Sequence, residues 1–203
     1  FTATGGSSPL TVTGLTNGQA YTFTVVATNA VGDSSASSAT SSVTPATTPD
    51  APTGVTAVRG NGQATISFSA PSSNGGDAIS YYTVTSSTGG LIAYGGSSPI
   101  TVTGLSNGTA YTFTVTATNA MGTSTASSAS NSVSPATVPD APIIGTATAG
   151  DGQATVTFSA GASDGYSSVL YYTVSSNTGG FVVYSGASPV VVTGLTNGTT
   201  YNF

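Results

Sequence analysis

The sequence predicts an all-β chain, a tandem array of seven-stranded β-sandwiches, and three observations carry that prediction. The first is an internal repeat. The block Pro9-Leu-Thr-Val-Thr-Gly-Leu-Thr-Asn-Gly18 returns as Pro99-Ile-Thr-Val-Thr-Gly-Leu-Ser-Asn-Gly108 and again as Pro189-Val-Val-Val-Thr-Gly-Leu-Thr-Asn-Gly198, an interval of 90 residues each time. Such a period exceeds the roughly 20–50 residues of a solenoid repeat and suits a small domain. The second is period-two alternation of apolar and polar residues with no helical periodicity. The third is the punctuation of these runs by Gly-Gly and Asn-Gly turns.

Within residues 48–137 the elements follow in order. Ala64, Ile66, Phe68 and Ala70 alternate with Thr65, Ser67 and Ser69, which predicts a strand with one buried face. Ser73 to Asp77 is a loop by composition. Tyr82 and Val84 then point inward, with Ile79 at the strand entry. After the Gly89-Gly90 turn, Leu91 to Tyr94 forms a short strand. Ile100 and Val102 alternate with Thr101 and Thr103, and the Asn107-Gly108 turn leads to Tyr111, Phe113, Val115 and Ala117 alternating with four threonines. A Ser/Ala-rich strand ending near Val133 is expected as the seventh.

The opening Asp50-Ala-Pro-Thr-Gly-Val-Thr-Ala-Val58, the strand Ala64-Thr-Ile-Ser-Phe-Ser-Ala-Pro71, Ile79-Ser-Tyr-Tyr-Thr-Val84 and the run from Gly104 to Asn119 together resemble the fibronectin type III family. The variety resembled is that of bacterial secreted and surface proteins. The resemblance covers the whole chain and implies immunoglobulin-like sandwiches. It also implies a tyrosine corner at Leu105/Tyr111, repeated at Leu15/Tyr21 and Leu195/Tyr201. Two positions depart from the family pattern. Phe68 and Phe158 stand where the family usually has a core Trp. Asn119-Ala-Met-Gly-Thr123 stands where some members carry an adhesive Arg-Gly-Asp, so binding through that tripeptide is not implied.

The register sets Phe1 opposite Leu91 and Phe181, and Phe203 opposite Phe113 and Phe23. The expected domains are therefore 1–47 (the C-terminal part of one), 48–137 (complete) and 138–203 (lacking its last strand).

The composition restricts chemistry. There is no Cys, His, Lys, Glu or Trp, and Arg59 with six aspartates gives a net charge of −5. Without His or Cys there is no ordinary nucleophile–base pair and no soft metal site. The aspartates are scattered, so paired-carboxylate catalysis is not expected either. No catalytic, cofactor-binding or metal residue is expected, and no cofactor; the chain is expected not to be an enzyme. An acidic chain with one basic residue does not suit nucleic acid, and no apolar run approaches the ~20 residues of a membrane helix.

Several features admit a functional reading beside a plain one. Asn107-Gly-Thr109 and Asn197-Gly-Thr199 match the N-glycosylation sequon, yet Asn-Gly also favours a tight turn, and Asn17-Gly-Gln19 keeps the turn without the sequon. Asp50 and Asp140 in the linkers, with Asp77 and Asp164 in the following loops, place two carboxylates at each junction, few for a hard cation. Arg59 is positioned to pair with Asp140 or Asp164. Tyr81 and Tyr171, next to inward Tyr82 and Tyr172, are the candidates for an exposed aromatic platform. Leu91–Tyr94 and Phe181–Tyr184 are expected at or near a sheet edge with no charge inside them, whereas edges usually carry Lys, other charges or Pro.

The expected role is structural: a repeat segment of an extracellular fibre, stalk or adhesin shaft, with self-assembly into a filament as its sharper form. Its partners would be neighbouring repeats and other copies of itself, without nucleic acid and without membrane insertion in this segment. The alternative is a spacer or binding module of a secreted polysaccharide-active enzyme.

Overall fold

A computed structural model describes all 203 residues. They divide into two compact units, residues 1–58, 65–103 and 111–133 in one, and residues 59–64, 104–110 and 134–203 in the other. Every regular element is a strand.

The first unit opens with a short antiparallel hairpin of β1 (Thr28–Asn29) and β2 (Gly32–Asp33). Seven strands follow: β3 (Thr53–Arg59), β4 (Gln63–Ser69), β5 (Tyr81–Ser86), β6 (Ile92–Gly95), β7 (Ile100–Thr103), β8 (Phe113–Asn119) and β9 (Gly122–Thr123). They form two sheets, in the orders β3-β4-β7 and β6-β5-β8-β9. The alternation read from sequence sets which face is buried. Phe113, Val115, Ala117 and Asn119 of β8 are buried while the intervening threonines are half-buried. Ile66, Val84, Val102, Phe113 and Val115 are almost wholly buried. Burying each such side chain contributes about 1.5–3 kcal/mol. Phe113 is the largest of them. Phe68 sits at the margin, 9% exposed, with its ring tilted against Tyr82 at 4.9 Å. Ala70, expected to face inward, is exposed because β4 ends at Ser69.

The seventh strand differs from the expectation. Only Gly122–Thr123 and a bridge from Val133 to Tyr111 pair as strand. Between them, a serine every third residue meets every second residue of β8. Ser124, Ser127 and Ser130 donate their backbone N–H groups to Ala117 O, Val115 O and Phe113 O. Their Oγ atoms accept the N–H groups of those same three residues at 2.9–3.1 Å. Each hydroxyl then donates to the carbonyl of the residue after it. A three-residue period is that of polyproline II and not of a strand. The serine side chains make up the mismatch by standing in for the carbonyls a β-ladder would offer. Ser34, Ser37 and Thr40 do the same for Ala27, Val25 and Phe23.

The second unit contains β10 (Ile143–Gly150), β11 (Gln153–Ser159), β12 (Tyr172–Ser175), β13 (Val182–Ser185) and β14 (Val190–Thr193). They lie in antiparallel sheets ordered β10-β11-β14 and β12-β13. Val156, Val174, Val190 and Val192 form its core, with Phe158, Phe181, Val183, Leu195 and Phe203 packed against them.

Candidate functional surfaces

The linker segments are strapped down, and in the same way in both units. In the first, Thr47 N–H donates to Gly75 O (2.8 Å) and Asp50 N–H to Ser73 O (3.0 Å). In the second, Thr137 N–H donates to Gly165 O and Asp140 N–H to Ser163 O, both at 2.9 Å. Gly75 and Gly165 are buried at φ +76° and +71°, and a Cβ at either would run into the carbonyl of Thr47 or Thr137. Only glycine meets both the backbone conformation and the close approach. Asn119, buried at the end of β8, adds a cross-brace: its Nδ2 donates to Thr47 O (2.8 Å) and Asn74 O (2.9 Å).

One position departs from this equivalence. Where the first unit has Gly76 against the backbone of Asn17 and Gly18, the second has Tyr166, at φ 64°, with its ring against Gly108. A non-glycine residue in the left-handed region costs on the order of 1–2 kcal/mol. Tyr166 N–H donates to Asp164 Oδ1 at 2.9 Å, which fixes the turn that holds it there.

The carboxylates serve local structure. Asp50 accepts from Ser72 Oγ, Asp77 from Ala120 N–H, Asp151 from Asn197 Nδ2 and Asp33 from Thr28 Oγ1. Arg59 donates from Nη2 to Ser167 Oγ at 3.4 Å, not to Asp140 or Asp164. The sequon asparagines are turn bridges. Asn107 Oδ1 accepts from Gly62 N–H and its Nδ2 donates to Asn61 Oδ1. Asn197 repeats this with Gly152 and Asp151. Tyr21 and Tyr201 form the corner bonds, their hydroxyls accepting from Thr16 N–H (3.0 Å) and Thr196 N–H (3.1 Å). Tyr111 is buried and stacks on Phe113.

The edges are treated unequally. On one side Asn131 pairs its side-chain amide with Ala57, Oδ1 accepting the N–H (2.9 Å) and Nδ2 donating to the carbonyl (3.0 Å). That occupies backbone groups of edge strand β3, and the serine ladder covers β8. On the other side β6 and β13 are the edge strands expected from sequence. They carry Ile92 and Tyr94, and Val182 and Tyr184, turned to solvent. Each exposed tyrosine packs edge-to-face with the one foreseen as a platform. Tyr81 and Tyr94 have ring centroids 5.9 Å apart at 73°, and Tyr171 and Tyr184 are 5.5 Å apart at 88°. Thr83 lies opposite Tyr94 and Tyr81 opposite Thr118, which puts the rings diagonally across the β5–β6 pair beside rows of hydroxyls.

Residues 50–133 match the family model of the fibronectin type III domain. Among solved structures, titin domains A168–A170 are 26% identical, over 60% of this chain and 42% of theirs, with a TM-score of 0.46. The FN1–FN3 domains of chicken CNTN1 are 19% identical, over 71% of this chain and 56% of theirs, with a TM-score of 0.40. The chain thus spans less than two thirds of the length of either. No curated protein matches it. The fibronectin type III match takes in Asn119 and Asn131, the Tyr81–Tyr94 pair and the serine ladder, and it stops before the second linker. No helix of the chain is long and apolar enough to cross a membrane.

Proposed function

We propose that this chain is a structural repeat segment of an extracellular fibre, stalk or adhesin shaft, with domains at 1–47, 48–137 and 138–203 and no catalysis of its own. The observation that carries the reading is the repeated strap at Thr47/Gly75 and Thr137/Gly165. A flexible tether needs no such bonds, and a repeated unit that bears load does. Both linkers also carry the stiff Pro-Asp-Ala-Pro sequence, which lowers chain freedom further. In this reading the partners are neighbouring repeats and other copies of the same chain, joined along the uncharged β6 and β13 edges. The location is the cell surface or beyond.

Concentrating the full chain and imaging it by negative-stain electron microscopy tests the filament form of the proposal. Ordered filaments that vanish when lysines replace Ile92 and Val182 are the expected result. A chain that sediments as a monomer at millimolar concentration counts against self-assembly. A second reading is a spacer or binding module of a secreted polysaccharide-active enzyme, and the exposed tyrosine pairs favour it.

A further inference from the structure

We infer that the Tyr81–Tyr94 and Tyr171–Tyr184 pairs are two copies of a binding platform for a neutral polysaccharide. The inference goes beyond both readings above, since a shaft and an enzyme module can each carry such a site.

Of the three copies of this strand, the N-terminal one has Thr4 at the position of Tyr94, while the two later copies keep the tyrosine pair as their cores drift. From residue 79 to 101, the second copy replaces Ile79 by Val169, Ser80 by Leu170, Leu91 by Phe181 and Ile100 by Val190. The last of these is a buried core position. Solvent-facing neighbours drift as well: Thr85 becomes Ser175 and Ile92 becomes Val182. Tyr94 and Tyr184 are 67% and 66% exposed, yet both are tyrosine, each beside an identical partner in nearly the same geometry. Packing of the core does not require them, since the buried face of these strands belongs to Tyr82 and Val84 and to Val174.

The chemistry of the face defines the ligand. No charged side chain stands on β5, β6, β12 or β13. Ring surface lies beside the hydroxyls of Thr83 and Thr118 in the first copy and of Thr173 in the second. An uncharged partner with apolar C–H faces and many hydroxyls, a pyranose chain, matches both halves of that surface. Tyrosines already held edge-to-face lose little freedom on binding. Two platforms on one chain also suit a ligand that is itself a repeating polymer.

Affinity electrophoresis of the full 203-residue chain in gels containing xylan, hydroxyethylcellulose or galactomannan tests this, with acidic alginate as the charged comparison. Retardation by at least one neutral polymer and none by alginate is expected. Replacing the exposed member of both pairs (Y94A with Y184A) is expected to weaken binding by roughly tenfold or more. The Y94F/Y184F variant keeps the rings and should bind like the unaltered chain, and V191T, on a face of the other sheet, should change nothing. No retardation in any neutral gel overturns the inference, as does equal retardation of the Y94A/Y184A chain. So does loss of binding in Y94F/Y184F equal to that in the alanine variant. A Y94A/Y184A substitution that alters only the sedimentation of the chain would show that the face meets protein instead, and would overturn it too.

Discussion

Replacing Ser127 by alanine removes one rung of the serine ladder without touching the apolar core. Ser127 is 8% exposed and its Oγ accepts from Val115 N–H at 2.9 Å. Val115 is wholly buried, so its N–H would lose its partner where water cannot replace it. A buried donor left unpaired costs about 1–3 kcal/mol, against roughly 5–15 kcal/mol for a whole domain. The second bond lost, from Ser127 Oγ to Ser128 O, involves an exposed residue and costs little, because that carbonyl rehydrates. At about 4–8 °C per kcal/mol for a domain of this size, the transition should fall by roughly 4–24 °C. The control is Ser128→Ala, an exposed neighbour expected to stay within about 0.5 kcal/mol. Thermal melts followed by circular dichroism on the full chain measure the shift, and hydrogen exchange at the Val115 amide reads the rung directly. The Val115 amide should lose protection in S127A and keep it in S128A. Equal behaviour of the two variants would refute the claim that serine hydroxyls substitute for strand carbonyls here.

Other predictions concern the straps, the core and the sequons. Gly75→Ala forces a Cβ into the Thr47 carbonyl at a left-handed backbone position. It should cost at least about 1–2 kcal/mol locally, seen as faster proteinase K cleavage between residues 45 and 50. Ser130→Thr should be nearly neutral, because Thr40 makes the equivalent bond to Phe23 N–H at 3.2 Å; a melt displaced by more than a few degrees would count against it. Phe113→Ala should cost about 3–5 kcal/mol, more than Phe68→Ala at the core margin, and chemical denaturation of the two variants ranks them. Produced in a host that glycosylates secreted proteins, the chain should show by mass spectrometry no glycan on Asn107, whose side-chain amide is held between Asn61 and Gly62.

The strands, their inward residues and the uncharged edges were readable because each depends on local alternation and on turns marked by glycine. The seventh strand departs from the expectation for a physical reason. Ser124, Ser127 and Ser130 are spaced by three, a period that fits no strand, and the same spacing recurs at Ser34, Ser37 and Thr40. That spacing was the available signal for a ladder built from hydroxyls. The roles of Asn119 and Asn131 had no local signal, since their partners Thr47 and Ala57 lie 72 and 74 residues away. Tyr81 was legible as a platform, but its pairing with Tyr94 depends on the register across the Gly89-Gly90 turn. Charge alone pairs Arg59 with Asp140 or Asp164, whereas the structure brings Ser167 within reach.

The central claim is that the chain is a structural element of a fibre or shaft outside the cell. Immunogold electron microscopy of the producing cells, with antibody raised against residues 48–137, tests it most directly. Label at regular intervals along surface fibres or stalks is the predicted result. Label confined to the cell interior, or found only on a freely secreted enzyme, would contradict it.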